Sequence, residues 1–286
     1  MVQFVIEPPV ARFRAVPAMA MALALALLLP SQAHATWSVL AVDEDTGEVV
    51  VASATCVPQE RLRTFPSEGL MDIQAIVVPG VGVAAAQAGV DRSRENQYLV
   101  HRELRAGTHP EEILERLRED PEIERRQFAI LDLQGRWAGF SGEENGEVAE
   151  HSYGHIPGTG IHFSVQGNIL DNERVVYEGV KAFMAAEGTL ADRVMAAMEG
   201  ADEAGGDGRC SCETEPVPDA SCNGRTSHVA YLLVADPNDE PGESFNDGDW
   251  SLFLDVHDEN IEPHENANPV ITLRMRYNEW LAEHGR

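Results

Sequence analysis

The chain has 286 residues with 21 basic against 48 acidic side chains, a formal charge of -27. Such a surface repels nucleic acid and anionic lipid, so neither is an expected partner. Nearly all its cations are arginine, with Lys181 the one lysine.

Residues 1–35 read as an export signal. Arg12 and Arg14 supply the positive region, residues 18–29 form an apolar run of Ala, Leu and Met, and Pro30 breaks it. Twelve apolar residues fall short of the roughly 20 needed for a membrane span. Ala33 and Ala35 give a small-x-small cleavage pattern, with Ser31 and Ala33 as a competing pair. A cut after Ala35 leaves Thr36 first. That threonine then carries a hydroxyl and a free α-amine on one residue, and the amine can serve as general base for the hydroxyl. The α-amine has a reference pKa of about 7.7–8.0, so a useful fraction is neutral near pH 7. The plainer reading is a threonine that simply begins a strand.

About 250 residues remain, expected as a single domain from 36 to 286. Residues 36–42 and 48–54 flank the turn cluster Asp43-Glu44-Asp45-Thr46-Gly47 and predict a hairpin. Residues 56–70 read as a loop. Residues 73–78 and 81–88 flank Pro79-Gly80 as a second hairpin, whose small residues allow close approach by a helix or substrate. Helices are predicted over 96–106 and 111–119, the latter opened by the capping box Thr108-His109-Pro110-Glu111. Residues 127–133 and 137–141 make a third hairpin, and 161–167 a further strand. A second helix pair follows over 173–187 and 190–202, then strands over 227–235 and 250–256, and a last helix from Asn268-Pro269 to about residue 283. Tight-turned strands imply antiparallel sheets, and separated helix pairs imply a layer on each outer face. The fold class expected is mixed α/β, a four-layer α/β/β/α sandwich of two antiparallel sheets.

Cys56, Cys210, Cys212 and Cys222 are an even set in an exported chain, which favours disulfides. Three of them lie in a Gly/Pro-rich excursion at about 205–224. The rival reading is a metal site built from these cysteines and His228, against which the Cys-x-Cys spacing weighs. His151, His155 and His162 cluster without a carboxylate pattern at ligand spacing. Asp236, Asn238, Glu240 and Asp247 only loosely echo a calcium loop, with Pro241 where glycine belongs. No metal and no cofactor are expected.

The run Thr36-Trp37-Ser38-Val39-Leu40-Ala41-Val42-Asp43, then Thr46-Gly47-Glu48, Gly80-Val81-Gly82, Ala86-Gln87-Ala88, Ser164-Val165-Gln166-Gly167-Asn168-Ile169-Leu170 and Gly205-Gly206-Asp207-Gly208-Arg209 resembles the domain-of-unknown-function 1028 family. That family is grouped with the N-terminal-nucleophile hydrolases, and the resemblance covers about 36–258. It implies a sandwich of that hydrolase type and a possible amide-bond hydrolase, with no substrate defined. Departures are Val90-Asp91-Arg92-Ser93-Arg94, where members usually carry Asn-Pro and Tyr-Gly, the Cys-bearing insertion, and Trp37 for the commoner phenylalanine.

Around Thr36 the expected catalytic set is Asn168, Ser53 and Asp207. The Asn168 amide is a candidate oxyanion donor, against a turn or capping role. Ser53 is placed beside Thr36 to hydrogen-bond its amine. Asp207 pairs with Arg209 at the pocket rim and holds the ammonium form of the N-terminus. Gln87, Gln166 and Arg209 are the substrate-binding candidates. Gln87 reads first as a surface-facing strand residue, and Gln166 as facing away from Asn168.

The function expected is an exported hydrolase, periplasmic or secreted, of an amide or related acyl bond in a small-molecule or peptide-like substrate. Stable membrane association after cleavage is not expected, and a homo-oligomer remains open. The alternatives are a non-catalytic exported ligand-binding protein on the same fold, or an envelope scaffold.

Overall fold

The structure is a computed structural model describing residues 36–65 and 67–285. The expected export signal therefore lies outside the described residues. Strands β1 (Thr36–Asp43) and β2 (Val49–Thr55) form the first hairpin, turned at Gly47 with φ +80°. Two short helices, α1 (Gln59–Leu62) and α2 (Leu70–Gln74), lead into β3 (Ala75–Val78) and β4 (Gly82–Ala88). Helices α3 (Glu95–Arg105) and α4 (Pro110–Leu117) come next, then β5 (Arg126–Asp132), β6 (Trp137–Ser141), β7 (Ala149–His155) and β8 (Ile161–Asn168). Helices α5 (Arg174–Ala185) and α6 (Leu190–Glu203), strands β9 (Val229–Ala235) and β10 (Leu252–His257), and helix α7 (Pro269–Glu283) complete the order.

The strands make a six-stranded antiparallel sheet, β10-β9-β2-β1-β8-β7, and a four-stranded one, β3-β4-β5-β6. Period-two alternation sets the layers. Trp37, Val39 and Ala41 of β1 pack outward with Phe183, Val194 and Met198 of α5 and α6. Leu40 and Val42 point the other way, into a core shared with Val83 and Ala85 of β4 and Leu131 of β5. Beyond the smaller sheet, Ala84, Ala86 and Ile130 pack against Val100, Leu104 and Ile113 of α3 and α4. This is the α/β/β/α layering that the element order implies.

Two local expectations are corrected. The 56–70 segment is not wholly loop, because α1 lies inside it, and Ile73 belongs to α2 rather than to the following strand. Strand β7 escapes the sequence because its residues are polar and mostly half-buried, as an edge strand permits. It also absorbs the histidine cluster: His155 pairs across to His162, and the Tyr153 hydroxyl lies 2.7 Å from His162 Nδ1. The 236–247 loop keeps its carboxylates for internal turns, with Ser251 Oγ donating to both Asp236 and Asp239.

Among the described residues no helix is long and apolar enough to cross a membrane.

Candidate functional site

Thr36 opens β1 in the middle of the larger sheet, with Thr55 of β2 on one side and Asn168 of β8 on the other. Its side chain faces the second sheet, on the same face as Ser38, Leu40 and Val42. The hydroxyl donates to Thr55 Oγ1 at 3.3 Å, and the residue is 4% exposed. Thr36 and Thr55 both border a narrow cleft. The remaining wall is supplied by α1, α2, the ends of β4 and β5, and α3.

The polar centre of the site is Gln87. Its Oε1 accepts from Ser38 Oγ (2.8 Å) and Gln74 Nε2 (2.7 Å), and Gln166 Nε2 approaches at 3.4 Å. Its Nε2 donates to the Thr36 carbonyl (3.0 Å) and Gln127 Oε1 (2.6 Å), with Asn168 Oδ1 at 3.4 Å. Gln87 is 6% exposed, so the surface-facing reading is overturned. Position 87 falls in the inward register of β4 with Val83 and Ala85, which is why it points between the sheets.

The opposed facing of Gln166 and Asn168 is also overturned. Residues two apart on a strand share a face, and both meet Gln87. Gln166 is fully buried, and its Oε1 has no hydrogen-bond donor among the described residues. Asn168 is fully buried beside Thr36, and it is not one of the residues bordering the cleft.

Ser53 is not beside Thr36. The hairpin register sets Ser53 opposite Ser38, and its hydroxyl donates to the Trp37 carbonyl at 2.6 Å. Thr55 occupies the position expected of it. The turn fixes this offset by pairing Val42 with Val49, and each step back along β1 moves one step forward along β2.

Asp207 and Arg209 do pair, Nη2 to Oδ2 at 2.7 Å and Nε to Oδ1 at 3.0 Å. Asp207 is fully buried, and its Oδ2 also accepts the Cys56 backbone N–H at 3.0 Å. Neither residue borders the cleft, so the rim placement does not hold. The carboxylate instead clamps the start of the segment after β2. Gly206 is needed next to it: φ is +51°, and a Cβ there would lie 2.8 Å from the Trp37 ring and from Thr226.

All four cysteines are bridged, Cys56–Cys210 and Cys212–Cys222. Donor atoms of Cys56, Cys210 and His228 lie within 4.8 Å of one another, yet both sulfurs are consumed in the disulfide. Burial, with Arg225 and Arg209 adding to it, pushes the His228 imidazole down to about 4, so it is neutral near pH 7. Its backbone N–H donates to the Thr55 carbonyl at 2.7 Å and holds the end of β2.

Sequence reasoning missed Thr55, Gln74, Gln127 and Tyr231. Gln127 donates to Ser141 Oγ and the Gly167 carbonyl, and the Tyr231 hydroxyl donates to Gln74 Oε1 at 3.1 Å. Burial pushes the Tyr231 phenol above its ordinary pKa. The available signal was register: Gln127 shares the inward face of β5 with Ala129 and Leu131.

Residues 36–215 match the profile described as "Family of unknown function (DUF1028)". The chain belongs to the DUF1028 family. A solved relative of this DUF1028 chain is the crystal structure of protein SPO2555 from Silicibacter pomeroyi, itself assigned to DUF1028. The two share 24% identity over 86% of this chain and 89% of that one, with a TM-score of 0.60. At that identity the likeness concerns the fold. No curated protein matches the chain.

Proposed function

We propose that this DUF1028 chain is an exported hydrolase of an amide or related acyl bond, with Thr36 as nucleophile once residues 1–35 are removed. The observation that carries the reading is the position of Thr36. It is the first residue of a central strand, faces the second sheet, and borders a cleft. A new N-terminus there would set the α-amine next to Oγ1, where it acts as base.

The hydroxyl oxygen attacks the substrate carbonyl and its proton passes to the α-amine. The C–N bond then breaks as the amine returns that proton to the leaving nitrogen. Water hydrolyses the threonine ester and releases a carboxylic acid. Asn168, paired with Thr36 across β1 and β8 but absent from the cleft wall, supports the strand end rather than meeting the oxyanion. Gln87 positions the strand end by holding the Thr36 carbonyl. Ser53, Asp207 and Arg209 support the site's framework rather than touch substrate.

The two disulfides fit an extracytoplasmic location. The substrate is a small-molecule or peptide-like acyl compound, and neither nucleic acid nor a membrane surface is a partner.

Intact mass and N-terminal sequencing of the exported protein are the first test, followed by Thr36→Ala and Thr36→Ser. A start at Thr36 is expected, with turnover abolished in Thr36→Ala and partly kept in Thr36→Ser. A start at His34 removes the base from the hydroxyl and sinks the reading. Ligand binding unaffected by Thr36→Ala, with no Thr36-dependent turnover, makes the protein a binding module.

A further inference from the structure

We infer that the cleft beside Thr36 receives an uncharged, apolar acyl group; this rests on the hydrolase reading and specifies its substrate. Two features of the wall lead there.

The first is apolar lining. Val57, Leu62, Phe65, Ile73, Val90 and Phe128 border the cleft and come from five separate segments of the chain. An acyl chain lying among them removes apolar surface from water, which favours binding in proportion to the area buried. Phe65 and Val90 are only partly buried, and the Arg92 guanidinium stacks over the Phe65 ring at 4.6 Å.

The second is the treatment of charge. Among the described residues only two ionisable side chains border the cleft, Asp91 and Arg126, and the protein has already satisfied both. Arg126 donates from Nε to Asp120 at 2.9 Å and from Nη1 to the Gly89 carbonyl at 2.8 Å. Asp91 accepts from Ser93 N–H, Ser93 Oγ and Asn96 N–H. A carboxylate on the acyl group would find no spare cation on the wall, and an ammonium would find an anion already committed. Burying an unpaired charge there costs far more than a methylene gains. Of the polar groups that remain, Thr36, Thr55, Gln74 and Gln87 form one connected cluster suited to the carbonyl end of the substrate, and Asn96 and Gln97 lie on the α3 side of the wall.

The acyl group is thus recognised by shape and dryness, with the reacting carbonyl turned to Thr36. The class is aliphatic or arylacetyl amides, as opposed to glutamyl, aspartyl or other dicarboxylic acyl groups. Chain length is set by Val90 and Phe65.

The test uses the protein with its N-terminus verified at Thr36. Coumarin amides of acetate, hexanoate, octanoate and phenylacetate are compared with glutaryl and γ-glutamyl coumarin amides, with Thr36→Ala as blank. The apolar acyl amides are expected to exceed the charged ones in kcat/KM by about tenfold or more. Val90→Phe should lower the octanoyl rate about tenfold more than the acetyl rate, at an unchanged melting temperature. A preference for glutaryl or γ-glutamyl groups overturns the inference while keeping the nucleophile. If no substrate shows Thr36-dependent turnover, the hydrolase reading falls instead. Calorimetry of octanamide and glutarate with Thr36→Ala then decides the cleft by itself: octanamide binding alone supports the apolar class, and glutarate binding or no binding overturns it.

Discussion

At Gln87 one amide side chain ties together residues from three strands and a helix, all of them buried. Ser38 and Gln74 donate to its oxygen, and its nitrogen serves the Thr36 carbonyl and Gln127. Removing a single member of such a network leaves buried partners unsatisfied, at about 1–3 kcal/mol for each stranded group. Gln87→Leu is therefore expected to cost about 2–4 kcal/mol, measured by urea denaturation. Gln134→Leu, at an exposed position, should stay within about 0.5 kcal/mol. Equal effects for the two substitutions would mean that the network contributes nothing beyond ordinary packing. Two residues just beyond this network carry positive φ without being glycine, Ala88 (+70°) after Gln87 and Ile169 (+51°) after Asn168. Such conformations persist where surrounding contacts impose them, and both strands end with one beside the site.

At the scale of elements, the hairpins were legible and the partners of Thr36 were not. Turn clusters such as Asp43 to Gly47 and Pro79-Gly80 announce tight reversals whatever surrounds them, because they depend on local φ and ψ. Register is less local. A reading that ended the second strand at residue 54 put Ser53 beside Thr36, whereas the pairing brings Thr55 there. A period-two rule applied consistently would have put Gln166 and Asn168 on one face. Strand β7 could not be read because its sequence lacks an apolar face, and its place comes from pairing with β8.

The disulfides also act between elements. Cys56–Cys210 spans 154 residues and joins the end of β2 to the segment held by Asp207, while Cys212–Cys222 closes only 10. Loop-closure entropy grows with span, so the Cys56→Ser/Cys210→Ser variant should lose about 2–5 kcal/mol and the Cys212→Ser/Cys222→Ser variant less. Equilibrium unfolding of both variants checks the order. A larger loss from the short bridge would show that native contacts within the excursion outweigh chain entropy.

For the whole molecule, the acidic balance of -27 couples stability to pH in two opposed ways. Burial opposes ionisation of Asp120, but hydrogen bonds from Glu122 N–H and Asn96 and the Arg126 guanidinium hold its carboxyl below the ordinary value of 3.8. Burial likewise opposes ionisation of Glu265, while Arg276 and the Glu262 backbone hold it below 4.5. These groups stabilise the fold above their unfolded pKa values, and that stability is lost as pH falls through their folded ones. Asp202 and Asp258 behave oppositely, because burial raises their pKa values above 3.8. Their contribution is present below the unfolded pKa and lost as pH rises through the folded one. Protonating them also relieves part of the self-repulsion. The melting temperature should therefore pass through a maximum at mildly acidic pH, falling on the alkaline side as Asp202 and Asp258 ionise and on the acid side as Asp120 and Glu265 are protonated. A maximum at pH 8 would show that Asp202 and Asp258 find compensation in the fold.

The sequence by itself determined the layered α/β/β/α architecture, the hairpins and helix pairs, the acidic surface and the cysteine set. Each of these follows from local periodicity, turn chemistry or composition, which act over a few residues or over the whole chain at once. Only the tertiary structure decided that Gln74, Gln87, Gln127 and Gln166 meet in one buried network, that Thr55 rather than Ser53 neighbours Thr36, and that Asp207 clamps Cys56 away from the cleft. Those outcomes depend on strand register and on how two sheets stack. Residues far apart in the chain set both, and no window of sequence contains them.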